Sequence, residues 1–198
     1  MQYHMIRVED VLRAYRHGFF PMADSREGTV SWCQPYQRAV VPLDAFTPSR
    51  SLRRIIGEKR FTIKTDTAFE RVIRACSQPR ASEQETWLSE EIIEAFLKLH
   101  RLGVAHSVES WQNGELSGGL YGIAMGGAFF GESMFFLKPN ASKVAFAWLV
   151  AHLRRKGYLL LDAQIMNPHL ESLGAIEIPH DDYMARLELA LAKKIFFI

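Results

Sequence analysis

The sequence predicts an α+β fold with a mixed β-sheet and flanking helices. Three strand patterns follow one another over residues 104–136, and Asn113-Gly114 separates the first two. Asn-Gly between alternating apolar residues is typical of a two-residue hairpin, so these strands are expected to be antiparallel neighbours. An amphipathic helix over 140–157 comes next, and a strand, a short helix, a strand and a final helix complete the chain. This order of elements indicates the α+β class.

The N-terminal part predicts shorter elements. Apolar residues at helical spacing over 8–18 stop at Gly18, and Pro21 is expected to end regular structure there. Brief strands are expected near residues 31–33 and 38–42, where short apolar runs are separated by a glutamine and a proline.

Hydroxyl side chains mark the starts of the next helices. Ser49 or Ser51 is expected to cap a basic helix, Thr67 a second helix, and Ser89 a third helix that ends at Gly103. The expected connections are a strand at 61–65 and a polar loop at 77–85.

The composition favours one compact domain with room for a small appendage. Of 198 residues, 48% are hydrophobic and 23% are charged, which supports a sizeable core and leaves little room for disorder. Lysine and arginine total 24 against 22 acidic residues. A net charge of +2 gives no support for a protein coated in nucleic acid, so any basic surface must be local.

The cysteines and the chain start predict an intracellular protein. Cys33 and Cys76 lie far apart without metal-ligand spacing, which indicates free thiols. No signal-peptide pattern and no apolar run near 18 residues occur, so we expect a cytoplasmic location and no membrane contact. Asn140 begins a glycosylation sequon, but in this setting it is expected to cap the following helix.

Glu132 stands in the middle of an apolar strand, FFGESMFF. An unpaired buried carboxylate costs several kcal/mol, so such a group is neutralised, paired or kept for chemistry. Alternation leaves two possibilities, a carboxylate on the face of Phe130 and Met134 or one directed at solvent. Aromatic residues on both faces favour a strand that is covered on both sides.

Asp162 poses the same question at the end of the apolar strand YLLLDAQIM. The leucines predict a central strand, and carboxylates at the ends of such strands often contact ligands. Gln164 is expected on the same face, where its amide either links the carboxylate to a substrate or forms a structural hydrogen bond with it.

Other candidate residues carry weaker signals. Arg50, Arg53 and Arg54 share one side of the basic helix, a spacing that suits phosphate oxygens but also a solvated face. Trp87 is either a core residue or a stacking surface for a base. The histidines lack metal-ligand spacing, so no metal site is expected, and no nucleophile elbow, P-loop or dinucleotide fingerprint occurs.

Several segments share an order and spacing with one known family. They are GFFPM, SRSLRR, ETWLSEEIIEAFLKLHRLGVAHSVESW, GELSGGLYG, GGAFFGESMFF, NASKVAFAWLVAHL, LLLDAQ and HLESLGAIEIP, which span nearly the whole chain. In this order they resemble the leucyl/phenylalanyl-tRNA–protein transferases. The set of GESMF, ASK and a D-x-Q strand is specific, whereas each piece alone is weak.

The resemblance implies an aminoacyltransferase. Such enzymes move leucine or phenylalanine, with methionine as a third candidate, from aminoacyl-tRNA to the α-amine of proteins that begin with arginine or lysine. The product enters N-end rule degradation. The resemblance also implies a small N-terminal domain at 1–36, a GNAT (acyl-CoA N-acyltransferase)-like domain at 37–198, and no metal or coenzyme. We expect the protein to be a cytoplasmic monomer.

Residue roles follow from the same resemblance. Asp162 and Gln164 match the family's catalytic aspartate and glutamine, and Glu132 matches its acidic residue in GESM. The residues expected at the side-chain pocket and the terminal adenosine are Met22, Trp87, Leu120, Phe130, Gly131, Met134, Leu149, Leu153, Leu161 and Asn167. The expected tRNA-binding residues are Arg50, Arg53 and Arg54. Departures from the common pattern occur at Met22, Glu85, Leu120 and Phe136.

Two other functions remain open at this point. An acetyl-CoA-dependent GNAT N-acetyltransferase would need a glycine-rich pyrophosphate loop, and FFLKPNASKVAF lacks these glycines. A non-catalytic module would bind charged tRNA or an arginine-ended chain and leave the ester intact.

Overall fold

The computed structural model describes residues 6–26, 28–78 and 86–198. Glu85 and most of the loop expected at 77–85 lie outside these ranges. The helices are α1 (Val8–Arg16), α2 (Arg50–Gly57), α3 (Phe69–Cys76), α4 (Glu90–Arg101), α5 (Ala141–Lys156), α6 (Pro168–Ser172) and α7 (His180–Leu191). The strands are β1 (Phe20–Ala23), β2 (Val30–Cys33), β3 (Gln37–Val40), β4 (Thr62–Thr65), β5 (Ala105–Gln112), β6 (Glu115–Met125), β7 (Ala128–Phe136), β8 (Leu160–Gln164) and β9 (Ile176–Pro179).

A seven-stranded mixed sheet forms the centre of the protein, in the order β4-β5-β6-β7-β8-β3-β9. Neighbouring strands are antiparallel except β7 and β8, which are parallel and are connected through α5. The predicted α+β class with a mixed sheet and flanking helices is therefore confirmed. No helix in the described ranges is both long and apolar enough to cross a membrane.

The predicted hairpin between β5 and β6 is confirmed. Asn113 and Gly114 have φ values of 53° and 79°, the left-handed conformation that a two-residue turn of this kind requires. The strands that it joins pair from Gln112 with Glu115, and a register shift between Ser110 and Trp111 interrupts the ladder.

Two apolar clusters cover the opposite faces of the sheet. Consecutive residues of β7 belong to different clusters, Phe130 to the one under α1, α3, α4 and α7, and Phe129 to the one under α2 and α5. Leu160 and Leu161 of β8 divide in the same way. The central strands are thus buried on both faces, as their apolar sequences predict.

The N-terminal segment forms its own two-stranded sheet of β1 and β2. The prediction that Pro21 ends regular structure is wrong, because Pro21 lies within β1 and pairs with Trp32. A two-stranded sheet leaves one edge of each strand open, where proline is tolerated. Helix α1 packs against α4 and α7, and the Ala23 N–H donates to the Trp87 carbonyl. These contacts hold the segment against the main sheet.

Of the two caps considered for the basic helix, Ser49 and not Ser51 is the one observed, and the cap predicted at Ser89 is confirmed. The Ser49 hydroxyl accepts from the N–H of Leu52, and the Ser89 hydroxyl accepts from the N–H of Ile92. Asn140 does occupy the cap position of α5, but its side chain makes no capping hydrogen bond.

The cap predicted at Thr67 is wrong. Ala68 occupies the cap position of α3, and the hydroxyl of Thr67 donates to the Glu109 carboxylate. Glu109, on β5, also accepts the backbone N–H groups of Thr67 and Ala68. A buried carboxylate from a neighbouring strand has thus taken the place of the local cap.

Candidate active site

A gap opens in the sheet between the parallel strands β7 and β8. Their Cα pairing ends at Phe130 with Asp162. Two residues later, Gln164 has a φ of 65°, and its N–H donates to the Asp162 carboxylate at 2.8 Å. Because the β8 backbone turns at this point, β7 has no partner in β8 from Gly131 onward, although it stays paired with β6.

A β-bulge places Glu132 at this gap. Tyr121 of β6 pairs with Ser133 and the next residue, Gly122, pairs with Gly131, so Glu132 has no partner in β6. A Cβ on Gly122 would lie 2.2 Å from the Phe130 carbonyl oxygen, so only glycine fits opposite the bulge. A bulge redirects the extra side chain, which explains why simple alternation could not settle the orientation of Glu132.

A cavity of about 270 Å³ occupies the gap. Its lining includes Phe20 and Tyr121 from one apolar cluster and Val41, Phe146 and Leu149 from the other, so it passes through the sheet. Most of the predicted substrate and catalytic residues line this cavity, namely Met22, Trp87, Leu120, Gly131, Glu132, Met134, Leu149, Leu161, Asp162, Gln164 and Asn167.

The remaining predicted residues lie elsewhere. Phe130 and Leu153 are fully buried in the two core clusters and are not among the residues that line the cavity. Arg50, Arg53 and Arg54 are exposed on α2, which packs against α5, and they do not line the cavity either.

Glu132 is buried, and one of its two oxygens lacks a hydrogen-bond partner within the described residues. Its Oε1 accepts hydrogen bonds from the Tyr15 hydroxyl at 2.7 Å and from Nε2 of Gln164 at 3.0 Å. Its Oε2 has no hydrogen-bond partner within the described residues. Burial raises the pKa of Glu132 from its ordinary value of 4.5 to about 7, although the bonds from Tyr15 and Gln164 oppose the rise.

Asp162 is fully buried and its oxygens are saturated. Its Oδ1 accepts from Nε of Arg38 at 2.9 Å and from the Gln164 N–H at 2.8 Å. Its Oδ2 accepts from Nη2 of Arg38 at 2.7 Å and from the Tyr183 hydroxyl at 2.8 Å. Each oxygen therefore uses both lone pairs. The buried Asp162 carboxylate also helps to raise the pKa of Tyr183, after the larger effect of burial.

The two carboxylates are connected through Gln164, but not in the way that the sequence predicts. The side-chain amide of Gln164 was expected beside Asp162, whereas it contacts Glu132 and the backbone N–H contacts Asp162. The left-handed φ of Gln164 is responsible, since it turns the side chain away from the regular strand direction.

Sequence reasoning missed three residues of this network, Tyr15, Arg38 and Tyr183. Arg38 had a usable signal, because it begins the apolar run RAVV and is the cationic counterpart of the two carboxylates in apolar strands. Tyr15 and Tyr183 lie at ordinary core positions of helices, and nothing in the pattern identifies their hydroxyl partners.

The arrangement suits an apolar group and a cationic group bound side by side. Apolar side chains form much of the cavity wall, and the unpartnered oxygen of Glu132 has the capacity to accept a hydrogen bond from an ammonium or guanidinium group. Within the described ranges, no three His, Cys, Asp or Glu side chains are grouped to hold a metal ion. Fold and site thus define a mixed-sheet α+β protein with a composite site for an apolar and a cationic group.

Comparison with known proteins gives the family. The sequence model of the leucyl/phenylalanyl-tRNA protein transferase family matches residues 40–188. The model of the N-terminal domain of the same family matches residues 5–35. The chain belongs to the leucyl/phenylalanyl-tRNA–protein transferase family.

Individual relatives agree with this assignment. The leucyl/phenylalanyl-tRNA–protein transferase of Chlorobaculum parvum is 83% identical over 98% of this chain and 100% of its own length. That of Chlorobium phaeobacteroides is 61% identical over the same shares. The structure of L-PGS from Bacillus licheniformis has a TM-score of 0.46 and 18% identity over 83% of this chain and 53% of that one, too low to assign the fold.

Proposed function

We propose that this protein transfers leucine or phenylalanine from aminoacyl-tRNA to the α-amine of proteins that begin with arginine or lysine. Methionine is a third candidate donor, and the modified proteins enter N-end rule degradation. The observation that carries the proposal is that Glu132 lines an apolar cavity and its buried Oε2 has no hydrogen-bond partner within the described residues, in a chain of this family.

The reaction is the aminolysis of an ester. The neutral amine attacks the carbonyl carbon, a C–N bond forms, the C–O bond to the terminal ribose breaks, and the proton lost by the amine balances the one gained by the ribose oxygen. Because an aminoacyl ester is already activated, correct orientation of the two substrates supplies much of the rate enhancement.

The apolar part of the cavity receives the transferred side chain. Its lining includes four apolar side chains, Leu120, Met134, Leu149 and Leu161. Such a pocket separates side chains by size, with about 1–3 kcal/mol for each methylene. Phe130 and Leu153, from the core behind the cavity, support its shape.

The polar part of the cavity receives the acceptor. The unpartnered oxygen of Glu132 binds a cationic group of the acceptor, because a buried carboxylate is costly without a charged or hydrogen-bonding partner. Asp162 orients the Gln164 backbone, and the Gln164 amide, next to Glu132, orients and polarises the incoming amine. Asn167 contributes at the cavity wall, where its Oδ1 caps α6 through the Leu170 N–H.

The tRNA extends from the cavity over the protein surface. Met22 and Trp87 line the cavity and contact the terminal adenosine, Trp87 by stacking. Arg50, Arg53 and Arg54 are exposed on α2 and bind acceptor-stem phosphates, because guanidinium groups match phosphate geometry.

The proposal extends to the organisation of the chain. We assign residues 1–36 to a small N-terminal domain and residues 37–198 to a GNAT-like catalytic domain. The protein acts as a cytoplasmic monomer without a coenzyme or metal.

One assay tests the function. Labelled leucyl-tRNA is mixed with the protein and a peptide that begins with arginine, and the label is expected on the peptide. Asp162→Asn and Gln164→Ala are each expected to lower the rate by about tenfold or more while the protein stays folded. Consumption of acetyl-CoA without labelling would support an acetyltransferase instead, and binding of both ligands without product would support a non-catalytic module.

A further inference from the structure

Arg38 is the largest fully buried side chain within the described residues, with 1% of its surface exposed. Its guanidinium lies between the rings of Phe20, at 4.7 Å, and Tyr183, at 4.5 Å. Burying an ion pair seldom adds stability over apolar residues of the same size. A guanidinium enclosed in this way therefore calls for a role other than stability.

The two-pronged contact from the Arg38 guanidinium restricts the part that the Asp162 carboxylate can take in the reaction. Nε and Nη2 of Arg38 each donate to a different oxygen of Asp162, which fixes the plane of the carboxylate. Since the Gln164 N–H and the Tyr183 hydroxyl take the remaining lone pairs, Asp162 cannot accept a proton from the amine without losing one of these bonds. Asp162 acts on the substrate only through its neighbours.

The neighbour that transmits this effect is Gln164. A left-handed φ is unfavourable for glutamine, and the hydrogen bond from its N–H to Oδ1 of Asp162 compensates for the strain. The same turn directs Nε2 of Gln164 to Glu132. Through Asp162 and the Gln164 backbone, the Arg38 guanidinium thus determines where the Gln164 amide lies beside the Glu132 carboxylate.

The network closes on one short segment of the N-terminal part. Nη1 of Arg38 donates to the carbonyl of Gly18 at 2.8 Å, and Tyr15, three residues earlier, donates to Glu132. A continuous chain of hydrogen bonds therefore runs from Tyr15 through Glu132, Gln164, Asp162 and Arg38 back to Gly18.

We infer that Arg38 is a positioning residue for the transfer reaction, which holds Asp162 and Gln164 in the geometry that orients the incoming amine. This inference rests on the proposed function. A lysine at this position would keep the positive charge but lose the two-pronged contact with Asp162.

The test is Arg38→Lys, assayed by single-turnover and steady-state transfer from leucyl-tRNA to the arginine-ended peptide. The expected result is a kcat lower by about tenfold or more, with a KM for leucyl-tRNA within about threefold of wild type. The matched control is Arg154→Lys, because Arg154 also donates to protein acceptors, the carbonyls of Leu43 and Phe46, but away from the cavity. The control is expected to keep the wild-type kcat. A folded Arg38→Lys protein with wild-type kcat overturns the inference.

A second variant applies if Arg38→Lys does not fold. The double variant Arg38→Gln/Asp162→Asn removes both buried charges and leaves a neutral pair that can hydrogen bond. If Arg38 acts through Asp162, the double variant has the same kcat as Asp162→Asn alone. A kcat lower than that of Asp162→Asn by a further tenfold or so would show that Arg38 acts by another route and overturn the inference.

The activity of the wild-type protein distinguishes failure of the inference about Arg38 from failure of the proposed function. If wild type transfers label and Arg38→Lys transfers equally well, only the inference about Arg38 fails. If wild type transfers no label, the proposed function fails and takes this inference with it.

Discussion

The hydroxyl of Tyr15 donates a 2.7 Å hydrogen bond to Oε1 of Glu132 across 117 residues of sequence. Tyr15 belongs to α1, outside the main sheet, and Glu132 belongs to the bulge in β7. Gly18, just after α1, accepts from Arg38, the partner of Asp162, so the end of α1 and the turn that follows it contact Glu132 directly and Asp162 through Arg38. The N-terminal part of the chain is therefore part of the site.

Tyr15→Phe is expected to shift the pH dependence of transfer to higher pH. The hydrogen bond from Tyr15 lowers the pKa of Glu132, so its loss raises that pKa above about 7. Under the proposed function Glu132 binds the cationic acceptor in its ionised form, so the acid limb of kcat/KM for the peptide should move with its pKa. The titration of the peptide amine is common to both proteins and cancels in the comparison.

The control for this shift is Tyr158→Phe. The hydroxyl of Tyr158 is buried without a hydrogen-bond partner in the described structure, and Tyr158 does not line the cavity. Its profile should match wild type. Identical acid limbs for wild type and Tyr15→Phe would contradict the assigned role of Glu132.

Glu132→Gln is expected to stabilise the fold at high pH and to abolish efficient transfer. The folded-state pKa of about 7 lies above the ordinary 4.5, so the folded state binds more protons than the unfolded state between these values. Wild type therefore loses stability as the pH rises from 4.5 to 7, by about 3 kcal/mol at the upper end. Glutamine carries no charge and escapes this loss, while its oxygen still accepts from Tyr15 and Gln164.

Urea unfolding of both proteins at about pH 4.5 and about pH 8 measures this effect. The variant should exceed wild type at the higher pH and match it at the lower pH. A difference that is the same at both pH values would show that burial of the charge does not destabilise wild type.

Leu149→Phe is expected to favour leucine over phenylalanine as the transferred residue. Leu149 is 1% exposed and lines the cavity, so a larger ring at this position reduces the space for the donor side chain. The ratio of kcat/KM for leucyl-tRNA to that for phenylalanyl-tRNA should rise by about tenfold. Thermal unfolding checks that overpacking leaves the fold intact, and an unchanged ratio would place the side-chain pocket elsewhere.

Replacing Arg50, Arg53 and Arg54 by alanine is expected to weaken tRNA binding and to reduce its salt dependence. Each phosphate contact contributes about 0.7–0.9 to the slope of log K against log salt concentration, so the slope should fall by about 2 to 3. Arg186→Ala is the control, because Arg186 is exposed on α7. A triple variant with the wild-type slope would mean that the α2 arginines are only solvated.

Local patterns predicted most of the secondary structure correctly. The Asn113-Gly114 turn, the caps at Ser49 and Ser89, and the doubly buried strands β7 and β8 depend on neighbouring residues and on alternation, which the sequence displays directly. The misplaced cap at Thr67 has a non-local cause, since the carboxylate that binds the start of α3 comes from Glu109 on another element.

The sequence by itself determined the sheet-and-helix order, the apolar strands around Glu132 and Asp162, and the family resemblance. Only the tertiary structure decided how those carboxylates are satisfied: the bulge that turns Glu132, the left-handed Gln164, and the pairing of Asp162 with Arg38 across 124 residues. The physical reason is the separation along the sequence of the residues that interact. Turns and periodicity are set by adjacent side chains, whereas the partner of a buried charge depends on which distant strands and helices come to lie side by side.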